Sequence, residues 1–479
     1  MSSLQSFREN WVRPALFFGN NPISLIGGAI TTASGIAVLG YWILFVALYR
    51  QGVSNPYLNI IFAFLLPLLF VLGLILIPIG IIERRRKLQK AGQIPAVFPK
   101  INLSDPVFRH GVDIVLVATI ANLLVVSVAS YRGAAYMDSP QFCGRACHVM
   151  EPQFVTYQIS PHSHVPCVAC HIGPGLGSYV AAKVEGTRQV FEVATDSYPM
   201  PIPVPVNELR PARYTCESCH TPNRFNGDLL MVFSRFGDDQ QNTETQTVLI
   251  LHLGGVDSFS HRTGIHGVHL GDIEYVATDK NLSKIPWVEV VHPNGTKTVY
   301  SSLPPGSGRP KGELRRMDCI DCHNSTAHPF VTAEQAIDQA MSQGAISPSL
   351  PWVHKEGLKL LKASYTSQAQ ARVEIPEQLT AFYRAGFPQV MTSQAASVSE
   401  AGKALVTLYC ENVFPFMKVT WGTYPNHIGH MSYPGCFRCH DGSHVAKDGS
   451  MIPMDCSVCH NLLAVDEPKP QVLSVLGIQ

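Results

Sequence analysis

The chain has 479 residues, a formal net charge of +1 at pH 7, and 15% charged against 46% hydrophobic residues. That length corresponds to about three domains, and the near-neutral balance leaves no electrostatic footprint for nucleic acid. The charged share lies below the roughly 25% of a soluble globular domain, which points to segments in lipid.

In chain order, the first elements are three apolar runs. Ile23 to Tyr49 and Tyr57 to Ile82 carry no charged residue, and each exceeds the roughly 20 residues that cross the hydrocarbon layer. A third, Ile114 to Tyr131, is entered past Asp113 and lies nearer the lower limit, where a buried soluble helix competes. The stretch Glu83 to Lys90 (ERRRKLQK) reads as a basic loop, which the positive-inside rule assigns to the cytoplasm. Counting crossings leaves the N-terminus, with Arg8 and Arg13, inside and everything after about Ser130 outside. The first span is expected to act as export signal and permanent anchor. None of the three cores contains histidine, and His110 stands at the cytoplasmic end of the third, so no bis-histidine haem is expected inside the bilayer from this chain alone.

Twelve of the thirteen cysteines form six pairs, each followed at once by histidine. They are Cys143/Cys147/His148, Cys167/Cys170/His171, Cys216/Cys219/His220, Cys319/Cys322/His323, Cys436/Cys439/His440 and Cys456/Cys459/His460. The last five read CxxCH, the attachment signature of haem c. Two thiols add to the vinyl groups on one porphyrin edge while the adjacent histidine swings beneath the iron. Zinc ribbons use CxxC pairs without demanding that histidine. Disulfides belong to the same oxidising compartment in which c-type haems are attached. Six covalently bound haem c groups are therefore expected. The first site has one extra residue, and Gly144 is expected to supply backbone freedom for a bulge. Met150, two residues beyond His148, is a second possible iron ligand, and a thioether there would raise the potential relative to bis-histidine ligation. Cys410, in ALVTLYCENVF, reads as a buried free thiol on a helix face.

Thirteen of the nineteen histidines lie outside these motifs. The candidates for the opposite sides of the irons are His162, with His164 as a solvated neighbour, His266 and His269 in GIHGVH, His427 and His430 in PNHIGH, and His328 and His444 shortly after motif histidines. His292, beside the hairpin signal Asn294-Gly295, is expected at a strand end. His252, His261 and His354 stay open.

The expected fold class is a membrane-anchored multihaem cytochrome c. Its parts are an anchor of three transmembrane helices (1–135), a domain with haems one to three (136–222), a small β-rich insertion (223–312), and a C-terminal domain with haems four to six (313–479), the haem-packed portion being mainly α and loop-rich. The insertion is read from the alternating runs DLLMVFSRF, TQTVLILHL, DIEYVA and IPWVEVV. After Thr332 the sequence TAEQAIDQAMSQGA has a capping-box form, and further helices are expected around 353–363, 376–385 and 397–412.

From Tyr136 to about Pro222, the segments CGRACHVM, SPHSHVPCVACHIGPG and YTCESCH, following a membrane helix, resemble the NapC/NirT family of membrane-anchored quinol dehydrogenases. Over a longer span, including GTYPNHIGHMSYPGCFRCHDGSH, the chain looks like the extended, ImcH-like inner-membrane multihaem cytochromes. The resemblance implies a bacterial inner-membrane protein with periplasmic haems, which oxidises menaquinol or ubiquinol from the quinone pool beside the first haem. Electrons then pass to a periplasmic cytochrome or terminal reductase. It also implies Met150 as ligand of the first iron and Lys183 near the quinone. The sequence departs from the family pattern in the first motif's spacing and in Gln189 and Val190, which stand where an acidic residue is expected two turns after Lys183. Asp138, Glu151, Glu185 and Glu192 are the candidates to take the proton. The alternative is an electron-relay and docking subunit of a larger respiratory or photosynthetic membrane complex, without its own quinol site. A terminal reductase would need an open iron position, and no CxxCK variant signals one.

Overall fold

The computed structural model describes residues 11–49, 66–98, 106–146, 148–204, 210–221, 227–256, 262–292 and 294–478. They fall into two compact units, Met1–Met137 and Asp138–Gln479.

The first unit holds α1 (Arg13–Gly19), α2 (Pro22–Tyr49), α3 (Leu66–Lys90) and α4 (Pro106–Met137). Among the described residues, Leu66–Lys90 and Leu116–Met137 are long and apolar enough to cross a membrane. The pair Arg13–Gly19 and Pro22–Val38, bent by 93°, makes a third span if counted as one. Asn21 sets that bend: its Oδ1 accepts the Ser24 amide at 2.9 Å, and its Nδ2 donates to the Phe18 carbonyl at 2.8 Å. Helices in lipid gain little from apolar burial, so close backbone approach takes its place. A Cβ on Gly73 would lie 2.3 Å from Thr31 Oγ1 and 2.7 Å from the Gly27 carbonyl, while Ser24 Oγ donates to the Ile77 carbonyl at 2.8 Å. Asn122 Nδ2 donates to Thr32 Oγ1 at 3.2 Å, tying α4 to α2. The stretch read as a basic loop is instead the last two turns of α3. Arg, Lys, Gln and Glu are good helix formers, and cations at a helix C-terminus complement its dipole. The expected start of the second span, from Tyr57, lies outside the described residues.

The second unit has a helical part with its own apolar core. It comprises α5 (Glu151–Ile159), α6 (Leu176–Ala194), α7 (Gly264–His269), α8 (Ala333–Ser342), α9 (Val353–Lys362), α10 (Gln368–Gly386), α11 (Pro388–Ser393) and α12 (Ala395–Asn412). Ile337, Leu360, Leu361, Leu379 and Leu405 join α8, α9, α10 and α12 in that core. Thr332 and Gln335 form the expected capping box. The helix expected from 376 begins eight residues earlier, where the Ser367 side chain accepts the Gln370 amide at 3.2 Å. Buried Ala371, Ile375, Leu379 and Tyr383 recur every four residues and carry the helix through Pro376, overriding that residue's preference for a helix start.

The expected insertion forms β1 (Asp228–Phe236), β2 (Glu244–His252), β3 (Ile273–Val276), β4 (Trp287–Val291) and β5 (Lys297–Ser301). It does not close on itself. The antiparallel sheet β1-β2 is completed by β7 (His460–Glu467), with Leu251 opposite His460. The second sheet runs β5-β4-β3-β6, the last strand being Leu314–Arg316.

Candidate haem sites

A helical turn brings residues i, i+3 and i+4 to one face, which is what two cysteines and the next histidine need. The regular motifs adopt such turns: the His220, His323 and His440 amides return to the carbonyls of Cys216, Cys319 and Cys436 at 2.7, 2.8 and 3.0 Å. The second motif is a single α-helical turn, Cys167–His171, and the sixth a 3₁₀ turn, Cys456–Val458. In the first motif Phe142–Ala146 is a π-helical turn, the form that absorbs one extra residue. A Cβ on Gly144 would lie 2.1 Å from the Phe154 ring. The glycine therefore serves close packing, not the freedom of φ expected of it. Cys147 lies outside the described residues.

Five motif histidines each face a second histidine. Ring centroids are 5.9 Å apart for His162 and His220, 6.4 Å for His171 and His328, and 6.1 Å for His266 and His323. They are 5.8 Å apart for His269 and His440, and 6.1 Å for His430 and His460. Two imidazoles on opposite sides of one metal, each nitrogen about 2 Å from it, place their centroids about 6 Å apart. The donor set fits bis-histidine haem iron. Burial pushes the pKa of His171, His266, His269, His323 and His460 down, and that of His328 down to about 4. They stay neutral, the form that offers a lone pair. His328 Nδ1 donates to the Gln153 carbonyl at 2.8 Å, His269 Nδ1 to Ile265 at 2.7 Å and His440 Nδ1 to Pro453 at 2.5 Å, leaving Nε2 for a metal.

Two candidates have no motif histidine opposite. His427 Nε2 donates to the Asn281 carbonyl at 2.8 Å; His444 Nε2 meets the Ile285 carbonyl at 2.6 Å and its Nδ1 meets Asp441 Oδ1 at 3.0 Å. Both are buried and fasten the strand-rich loops instead. His164 is exposed, His252 bonds Asp228, His292 bonds Thr298 at the strand end, and His354 lies between Asp238 and Asp338. His261 lies outside the described residues. Among the described residues no histidine ring is stacked or tilted against His148; Tyr198 stands 6.3 Å away, its ring inclined at 84°, a neighbour no sequence signal marked. Met150 is half-buried at the end of the turn His148–Met150.

The cysteines of successive motifs are neighbours. In the free thiol form a hydrogen bond from Cys167 draws the Cys143 pKa below its ordinary value, and one from Cys319 does the same to Cys216. Burial raises Cys170, which also feels Cys216, and Cys439, which also feels Cys322. It likewise raises Cys459, which also feels Cys436. The six sites therefore follow one another in space as in sequence.

Beside the first motif, Lys183 Nζ on α6 lies 3.5 Å from Asp138 Oδ1 and 4.7 Å from the Tyr179 ring centroid. Both charges act on the Cys143 sulfur. Asp138 and Tyr179 also line an open cleft of about 450 Å³ with Ile172, Pro174 and Tyr214. Glu151 lines a different cavity, with Gln368 and Phe416. Glu185 and Glu192 are both bonded to Arg188. The structure brings Lys183 and Asp138 together and leaves Glu151 apart.

Residues 108–201 match the family model described as NapC/NirT cytochrome c family, N-terminal region. The chain is 39% identical over 451 residues to the cytochrome c-type protein ImcH of Geobacter sulfurreducens, covering 92% of this chain and 88% of that protein. It is 29% identical over 112 residues to the cytochrome c-type protein NrfH of Wolinella succinogenes, 22% of this chain and 63% of the relative. It is 32% identical over 104 residues to the cytochrome c nitrite reductase subunit NrfH of Nitratidesulfovibrio vulgaris, 21% of this chain and 64% of the relative. No solved structure matches.

Proposed function

The chain belongs to the NapC/NirT cytochrome c family, and we propose that it is a six-haem member that oxidises membrane quinol at the periplasmic face of a bacterial inner membrane and delivers electrons to a periplasmic cytochrome or reductase. Haem c held by the six motifs would supply one-electron chemistry between a two-electron donor and its acceptor. The histidine pairs His162/His220, His171/His328, His266/His323, His269/His440 and His430/His460 would hold the irons of sites three, two, four, five and six. Site one is left to His148 or Met150.

The reading is carried by the Lys183–Asp138 pair beside Cys143. Quinol oxidation releases two protons with its two electrons. Lys183 is suited to hold a quinol oxygen as its charge changes, and Asp138 to accept the hydroxyl proton within hydrogen-bond reach. Asp138 takes the part that Gln189 and Val190 cannot. The orientation rests on the basic end of α3 and the positive-inside rule.

The test is anaerobic reduction of the purified protein by a menaquinol analogue, followed by haem absorbance. The wild type should reduce. Lys183→Ala and Asp138→Asn should each slow reduction at least about tenfold, a loss in the range of one removed acid–base group, with haem content unchanged. A properly assembled wild type that quinol does not reduce overturns the reading and favours the docking-subunit alternative.

A further inference from the structure

Arg438 is the second residue between the cysteines of the fifth motif, and it is 8% exposed. Its Nε donates to the Gly435 carbonyl at 2.8 Å, its Nη1 to Leu282 at 2.9 Å and its Nη2 to Asp321 at 2.6 Å. Asp321 occupies the same place in the fourth motif. The guanidinium of one attachment loop thus holds the main chain of the other at the equivalent position.

Arg438 forms no ion pair among the described residues, and the Asp321 carboxylate is turned to the Tyr275 hydroxyl and the Asp318 amide, both at 2.6 Å. The Leu282 acceptor is costly: it sits at φ +55, a left-handed conformation rare for a branched side chain. Asp279 holds that turn by accepting the Ser283 and Lys284 amides at 3.1 and 2.7 Å. Such strain persists where surrounding contacts over-determine it. The charge also bears on Cys322 of the fourth motif and on Cys436 and Cys439 of the fifth. The helix α7 also presents His266 to His323 and His269 to His440, so the same two sites share a scaffold there as well.

We propose that Arg438 is a positioning residue that pairs the fourth and fifth haem sites and, through its buried and permanent charge, favours the reduced state at both. Adding an electron beside a fixed cation in a medium less polar than water is stabilised, so both potentials are raised. This rests on haem attachment at those two motifs, not on quinol oxidation. Attachment is checked separately, by intact mass.

The experiment is a spectroelectrochemical titration of the full-length, haem-loaded protein. Arg438→Gln should move the midpoints of two haems to more negative potential and leave the others in place, while Arg438→Lys, which restores the charge, should leave all near wild type. An unchanged Arg438→Gln titration overturns the proposal, as does a shift common to all haems or equal in both variants. If Arg438→Gln does not mature, Arg438→Lys decides alone. Its ammonium loses its proton in alkaline solution and a guanidinium does not, so two midpoints should fall there relative to wild type; none falling overturns the proposal.

Discussion

His354 shows how a side chain left open by the sequence acquires a definite role away from the haem sites. It is buried among α8, α9 and β1, with Nδ1 2.8 Å from Asp238 and Nε2 3.3 Å from Asp338. Burial alone would lower its pKa, but Asp338 and Asp238 outweigh that and the net shift is upward. A raised folded pKa means the ion pair's contribution is fully present below the unfolded value of about 6.5 and is lost as pH climbs through the folded one. The helical part should therefore melt at lower temperature as pH rises from 6 toward 9, and His354→Gln should flatten that slope. A wild-type melting temperature that climbs across this range contradicts the assignment. The ligand proposed for a first iron is also a matter of single residues. If Met150 would hold that iron, Met150→Leu should alter the spectrum of one haem, whereas His148→Ala with Met150 intact should leave that spectrum in place. The opposite pattern assigns His148. Gly144 was legible as special, yet its reason was not, because Phe154 lies on a later turn and a sequence does not show which ring arrives over which glycine.

At the scale of elements, α7 carries the most consequence for its length. Six residues, Gly264–His269, set His266 and His269 three apart, on one helical face, toward two different motif histidines. The histidine pair in GIHGVH was readable as candidate ligands in a loop; the helix was not, since two glycines argue against one. Tertiary demand, two motif histidines to be faced from one short turn, overrides propensity. It follows that His266→Ala and His269→Ala should each perturb one haem and spare the other. Inserting an alanine between Val268 and His269 should leave His266 in register and rotate His269 by about 100° off its partner, as 3.6 residues per turn require. Low-temperature spectra or electron paramagnetic resonance of the three variants would read this, and loss of both haems from a single alanine replacement would contradict it. Helices with a four-residue apolar repeat were recovered from the sequence. The start of α10 and the end of α3 were missed where packing or good helix formers carried a helix past a proline or a charge run.

For the whole molecule, the motif turns were legible and the pairing of their histidines was not, and the reason is distance along the chain. A CxxCH turn is local, so its geometry is written in five residues. The histidine facing it is tertiary: His171 faces His328 and His440 faces His269, across more than a hundred residues each way. Among seven candidate histidines only the fold selects, and it employs His427 and His444 as fasteners. The order of the motifs, by contrast, follows the chain: Cys143 is hydrogen-bonded to Cys167 and Cys216 to Cys319, and the remaining consecutive motifs lie near enough for their thiols to feel one another's charge. A serial order has a consequence that a branched one lacks. Removing site three, by Cys216→Ala with Cys219→Ala, should confine rapid reduction by quinol to sites one and two, while a chemical reductant still reaches all haems that remain. Removing site six, by Cys456→Ala with Cys459→Ala, should leave the upstream five quinol-reducible and abolish only transfer to an external acceptor. Stopped-flow absorbance with quinol, set against full chemical reduction of the same sample, distinguishes the two. Equal quinol-reducible fractions of the remaining haem in both variants would mean that electrons bypass the third site, and the linear arrangement would fail as the route even if every histidine pair proved to be a ligand pair.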